Sequence, residues 1–227
     1  MFTAGADMSS SALPPIAFDF FFDPLCGWCY GAAPTIAALR GAFPVHYALW
    51  PMGLFYRDSV RPMDAGIADY IRRADQRLSQ MTGQPLGKPY LDRLVRADAP
   101  ALNSGPGIRA ILAAETAQAG AGLDLQETLQ KARFVDGRDI TDAAEIAAIA
   151  AAAEIALATP APEAEADRRV AETRRRMQRY GLQGVPALVL HGTGDWQGQL
   201  ETVVPGQLLY DAAALKAWVA DTVAARS

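Results

Sequence analysis

Residues 16–31 read Ile16-Ala17-Phe18-Asp19-Phe20-Phe21-Phe22-Asp23-Pro24-Leu25-Cys26-Gly27-Trp28-Cys29-Tyr30-Gly31. The apolar run Ile16 to Phe22 has the length and composition of a buried sheet strand. Asp23-Pro24 ends it, because proline has no N–H to give the ladder. A helix is expected to follow from about Gly27 to Leu39, with Ile36 and Leu39 at i, i+3 spacing and Gly41 and Pro44 marking its end. From Val45 to Trp50, Val45, Tyr47 and Leu49 alternate with His46, Ala48 and Trp50, which is a strand pattern. Strand, helix, strand in this order is a βαβ unit with a right-handed crossover.

Beyond about Asp58 the sequence turns helical, and it stays so to about Ala166, broken at Gly-Gln-Pro, Ser-Gly-Pro-Gly and Thr-Pro-Ala-Pro. Asp124 with Glu127 suggests a capping-box start for a helix reaching about Phe134, and Thr141 or Asp142 starts the next. Arg168 to Tyr180 is a charged helix, with Gly181 at its end. Gly184-Val185-Pro186 leads into a strand from Ala187 to His191. A turn at Gly192-Thr193-Gly194-Asp195 then gives a second strand over about Gln199 to Val204, read as a hairpin. Asp211 caps a last amphipathic helix to about Val223. The order is β-α-β, inserted helices, α, β-β-α: an α/β chain of thioredoxin topology with a helical insertion. The expected organisation is a flexible tail over 1–15, a core built from 16–57 and 167–227, and an inserted helical domain over 58–166. Both ends of the insertion lie on the core, so it is expected to wall a groove beside residue 26.

With 51% hydrophobic residues among 227, a substantial core can be buried. A net charge of −4 gives no basic field for nucleic acid or anionic lipid. No apolar run is long enough for a membrane-spanning helix, so neither nucleic acid nor membrane is an expected partner. Met1 to Pro15 lacks the basic and apolar regions of a secretory signal, and the expected address is cytoplasmic.

The chain has two cysteines, three residues apart. A C-x-x-C pair where a strand meets a helix reads as redox chemistry. Thiol–disulfide exchange needs a thiolate to attack, a second sulfur to resolve the mixed disulfide, and access for substrate. Cys26, at the helix N-terminus, faces unpaired N–H groups that favour a thiolate, and is assigned as the nucleophile. Cys29, one turn on and more buried, is assigned as the resolving thiol. Ordinary core cysteines would also be apolar and buried, but they have no need of this context. Zinc would need further ligands, and His46 and His191 have no ligand spacing; no metal is expected. The Cys26–Cys29 disulfide is the expected redox centre, without a bound cofactor.

The block Asp23 to Gly31, followed far downstream by Gly184-Val185-Pro186-Ala187, resembles the DsbA-like thioredoxin family, closest to its FrnE-related protein-disulfide isomerase branch. The resemblance runs from about Ile16 to Val219. It implies a thiol–disulfide oxidoreductase or isomerase acting on protein or small-molecule disulfides, with glutathione as a candidate reductant and an unidentified redox partner. It also implies that Val185-Pro186 is cis beside the cysteines, with the Val185 backbone pairing with the substrate chain. X-Pro bonds alone reach cis cheaply, which supports that reading, and the lesser alternative is a plain trans proline that begins a strand. The expected site is therefore Cys26, Cys29 and Pro186, with Gly27, Trp28 and Val185 in contact with substrate. The alternative is a glutathione-dependent isomerase or transferase like 2-hydroxychromene-2-carboxylate isomerases and kappa-class transferases. These typically carry Ser where Cys26 stands. A non-catalytic adaptor, a third reading, has no need of a solvent-facing pair.

Gly27 and Trp28 bring no cationic side chain to Cys26, so its thiolate depends on the helix terminus and backbone N–H groups. Trp28 either packs on an incoming polypeptide or shields the cysteines. Asp23 is a candidate proton acceptor during resolution, or an Asp-Pro turn that stops a strand. Asp19 points to the opposite face and is left out of the site. The arginines at 168, 169, 174, 175, 176 and 179 read as a solvated helix face. Gly192-x-Gly194 is a hairpin turn rather than a phosphate loop, and Trp50, Trp196 and Trp218 read as packing.

Overall fold

The computed structural model describes residues 14–159 and 162–226. The tail expected over 1–15 lies, through residue 13, outside the described residues, as do Pro160 and Ala161 of the Thr-Pro-Ala-Pro break. Strand β1 (Ile16–Phe22) is an inner strand of the sheet. It pairs in parallel with β2 (Tyr47–Pro51), placing Phe18 opposite Tyr47, and antiparallel with β3 (Ala187–Gly192), placing Phe18 opposite Leu190. Strand β4 (Glu201–Val203) adds antiparallel to β3, so the order is β2-β1-β3-β4. Two strands are shorter than their sequence patterns. Val45 N–H turns back to the Phe43 carbonyl at 2.8 Å, which delays β2 to Tyr47; Gln199 N–H bonds the Trp196 carbonyl at 2.9 Å, which delays β4.

The phenylalanine run is apolar on both sides because both faces of β1 are covered. Phe18, Phe20 and Phe22 pack with Ile36 and Leu39 of α1 (Gly27–Ala42) and with Leu215 and Val219 of α8 (Ala212–Ala224). Phe21 faces the other way, into a cluster with Trp50, Val189 and Met177 of α7 (Glu163–Arg179). The α7 arginines are not merely a solvated face. Arg176 lies over the Trp50 ring at 3.9 Å and reaches Asp19 at 3.3 Å, and Arg174 donates to the Gly53 carbonyl at 2.9 Å. They clamp α7 onto the end of β2.

Between β2 and α7 run α2 (Ala65–Thr82), α3 (Lys88–Arg93), α4 (Gly105–Ala117), α5 (Ala121–Phe134) and α6 (Ala143–Ala152). Ala68, Ile111, Leu125 and Ile146 from these helices join the same apolar cluster as β1 and α1. Proline at position 34 of α1 cannot donate to the Tyr30 carbonyl one turn back. That carbonyl instead accepts from Gln84 Nε2 at 3.0 Å, while the Tyr30 hydroxyl donates to the Pro85 carbonyl at 2.7 Å. The missing helix bond thus becomes a latch between α1 and the loop after α2. Two helix starts differ from their sequence readings. Helix α7 begins at Glu163, ahead of the Arg168 read from sequence. Helix α5 begins at Ala121, after Gly120 with φ 87°, and its cap is the Glu115 carboxylate, which accepts from Gly120 and Gly122 N–H, each at 3.1 Å. Asp124 sits in the first turn and pairs with Arg40 at 2.9 Å.

Candidate active site

The strand-to-helix junction is folded by its own polar groups. Leu25 N–H donates to Asp23 Oδ1 at 2.9 Å, and Cys26 N–H to the Asp23 carbonyl at 3.1 Å, closing a turn that delivers Cys26 as the N-cap of α1. In this extended conformation (φ −77°, ψ 115°) the Cys26 sulfur folds over the helix end, and Cys29 N–H donates to it at 3.3 Å. A cap of this kind satisfies an orphan helix donor. The Cys26 thiol in turn reaches the Val185 carbonyl at 3.7 Å. The Val185-Pro186 peptide is cis. Both cysteines are free thiols.

Neither cysteine faces bulk solvent: Cys26 is 6% exposed and Cys29 1%. The burial of Cys29 agrees with its sequence reading, whereas the expected exposure of Cys26 is corrected, because α2 lies across the junction. Access to Cys26 is through a cavity of about 140 Å³, which it lines together with Trp28, Tyr70, Ile71, Asp75 and Arg133. Trp28 is half-buried and meets Tyr210 edge to face at 5.9 Å. Burial pushes the Cys29 thiol well above its ordinary range, and the adjoining Cys26 sulfur pushes it the same way. A thiol so held stays protonated until a base or a mixed disulfide changes its surroundings.

Asp23 is fully buried, and its carboxylate accepts three hydrogen bonds: Leu25 N–H, Ser104 Oγ–H at 2.8 Å and Leu54 N–H at 2.7 Å. Burial outweighs these bonds and pushes its pKa up to about 6. Its charge reaches Cys29. The two sequence readings of Asp23, turn former and partner of the pair, thus fall on one side chain. Asp19 lies on the far face, against His191 at 3.1 Å and Arg176, away from the cysteines.

Gly27 has a geometric reason to be glycine. A Cβ built there would lie 2.6 Å from Asp75 Oδ1, so only a bare backbone lets α2 approach so closely. Asp75 Oδ2 accepts from the Tyr90 hydroxyl at 2.6 Å, and burial raises the Asp75 carboxyl above its ordinary value. Sequence reasoning missed Asp75, Tyr90 and Arg133. A signal existed for Asp75: it interrupts the apolar stripe Ile67, Ile71, Leu78 of α2, and a charge on such a stripe faces the interior.

Residues 17–209 match the model of the DSBA-like thioredoxin domain. Among solved structures, the cytosolic disulfide reductase DsbM from Pseudomonas aeruginosa is similar, at 28% identity over 91% of this chain and 98% of that one, with a TM-score of 0.75. The same protein solved with GSH is 27% identical over the same shares, with a TM-score of 0.73. A 2-hydroxychromene-2-carboxylate isomerase shares the fold alone, at 14% identity over 93% and 99% of the two chains and a TM-score of 0.53. No curated protein sequence matches. Among the described residues, no helix is long and apolar enough to cross a membrane.

Proposed function

The chain belongs to the DSBA-like thioredoxin family, and from that premise we propose that it reduces disulfides through a reversible Cys26–Cys29 dithiol couple. The observation that carries this reading is the 3.3 Å contact from Cys29 N–H to Cys26 Sγ, which sets the two sulfurs one turn apart at the head of α1. In the forward reaction the Cys26 thiolate attacks one sulfur of the substrate disulfide. As the new S–S bond forms, the old one breaks, and the first substrate thiolate leaves with the electron pair. Cys29 gives its proton to the Asp23 carboxylate, which is ionised above about pH 6. Its thiolate then attacks the Cys26 sulfur and releases the second substrate thiolate. Two electrons have passed to the substrate, and the chain holds a Cys26–Cys29 disulfide. Two equivalents of a low-molecular-weight thiol, with glutathione as the candidate, restore the dithiol and leave as a disulfide.

The direction of exchange rests on two supports. Gly27-Trp28 adds no positive charge to stabilise the reduced form, and a less stabilised dithiol is a better reductant. DsbM, at 28% identity, is described as a cytosolic disulfide reductase; we assign this chain the same direction and the same compartment. Substrate would lie along Trp28 and pair with the Val185 backbone, where Pro186 leaves no N–H of its own to compete. The test is Cys29→Ser. With the resolving thiol gone, a disulfide substrate should remain attached to Cys26 as a stable adduct visible by intact mass, whereas Cys26→Ser should form none. An adduct on Cys29 in the Cys26→Ser variant, equal in rate to the first, would reverse the assignment.

A further inference from the structure

Arg133, the second-last residue of α5, is 3% exposed. Its guanidinium sits over the Tyr90 ring at 5.6 Å and the Phe134 ring at 5.9 Å. Its Nε is buried without a hydrogen-bond partner, and among the described residues no carboxylate lies within ion-pairing distance. Two carboxylates feel its charge, Asp75 and Asp23; Asp75 commits Oδ2 to the Tyr90 hydroxyl, and Asp23 accepts from Leu25 N–H, Ser104 Oγ–H and Leu54 N–H. Burying a guanidinium without an acceptor is costly, and a folded chain keeps such a group where something else supplies the acceptor. Arg57, by contrast, is held by Asp167 and Glu163, and Arg176 by Glu172 and Asp19. Arg133 also lines the cavity that opens onto Cys26.

We infer that Arg133 is the anchor for a carboxylate carried by the disulfide or thiol substrate, which makes small acidic disulfides the preferred substrate class. The inference rests on the proposed dithiol chemistry and adds a specificity-determining residue to it. A carboxylate fits the planar guanidinium with two parallel charge-assisted hydrogen bonds, which an amide or ester cannot match. The cavity, about 140 Å³, is below the volume of a cleft that engulfs a whole ligand, so it takes one acidic arm. The remainder has a path: a second cavity of about 450 Å³ shares Phe55, Tyr70, Ile71 and Leu102 with the first. Burial holds the Asp75 carboxyl toward its neutral form, which reduces its competition with an incoming anion.

The test compares 3,3′-dithiodipropionic acid with its diamide, two disulfides that differ only in charge. The pre-reduced native protein should reduce the acid with the higher kcat/KM. Arg133→Met should cut the acid's kcat/KM on the order of tenfold to a hundredfold, the worth of a charge-assisted bond, and leave the diamide nearly unchanged. Arg133→Lys, which keeps the charge, should retain part of the preference. The acid-to-amide ratio is the deciding readout, since a general loss of fold lowers both rates together. In the native protein, the non-reducible 3,3′-thiodipropionate should also protect Cys26 from iodoacetamide, and its diamide should not. Equal native rates for the two disulfides, an unchanged ratio in Arg133→Met, or equal protection by acid and amide would overturn the inference. Reduction of neither disulfide by the native protein would instead remove the proposed function.

Discussion

Replacing Asp23 by Asn leaves the side chain's size and removes a buried titration. The carboxyl group rises from an ordinary 3.8 to about 6 in the fold, with burial as the main cause. Between those values the folded protein holds the proton more tightly than the unfolded chain does. Stability from this group is therefore complete below about pH 4 and lost as pH passes about 6. At 1.36 kcal/mol per unit, the loss is about 3 kcal/mol. The amide does not titrate, so the variant lacks this slope. It carries instead a pH-independent cost of about 1–3 kcal/mol, because an NH₂ group must face a donor that Asp23 now accepts, Leu25 N–H or Leu54 N–H. Urea unfolding of both proteins, followed by circular dichroism at stepped pH between about 4 and 7, measures the difference. The stability of the variant relative to the native protein should rise by about 3 kcal/mol across that interval. Parallel curves would refute the reasoning, since they would mean that Asp23 titrates alike in both states. The same variant should slow resolution of the mixed disulfide, because Cys29 loses its proton acceptor.

Iodoacetamide near neutral pH should modify Cys26 ahead of Cys29, as peptide mapping after limited labelling would reveal; faster labelling of Cys29 would exchange their roles. Gly27→Ala puts a Cβ 2.6 Å from Asp75 Oδ1 and should cost about 1–3 kcal/mol as an overpacking change, read as a lower urea midpoint. A midpoint equal to the native one would mean that α2 stands farther from α1. Leu188→Ala, at a fully buried position of β3, should cost about 2–5 kcal/mol; a cost below about 1 kcal/mol would place β3 at a solvent-facing edge.

The sheet was legible because its strands are local patterns. Ile16 to Phe22 is apolar on both sides because helices cover both, and Asp23-Pro24 stops it by removing a donor. Cys26 and Cys29 were legible for the same reason: their spacing and their position at a strand-to-helix step lie within one stretch of chain. The rest of the site is made by distant contacts that leave little local trace. Glu115 caps α5 from the preceding helix, so the start of α5 carries no capping residue of its own. Asp75 and Arg133 stand in different helices and line one cavity beside Cys26, where Gly27 lets α2 settle on α1. Arg176 read as surface charge because nothing local shows that Trp50 and Asp19 lie beneath it.

The dithiol couple is tested most directly by equilibrating the protein in glutathione buffers of stepped ratio, quenching with acid, alkylating free thiols and weighing the products. The proposed chemistry predicts one transition between a doubly alkylated form and an unalkylated form closed through Cys26 and Cys29, with its midpoint close to the glutathione poise, where glutathione restores the dithiol. Two alkylatable thiols that persist in the most oxidising buffer, or a glutathione adduct that never closes, would contradict it.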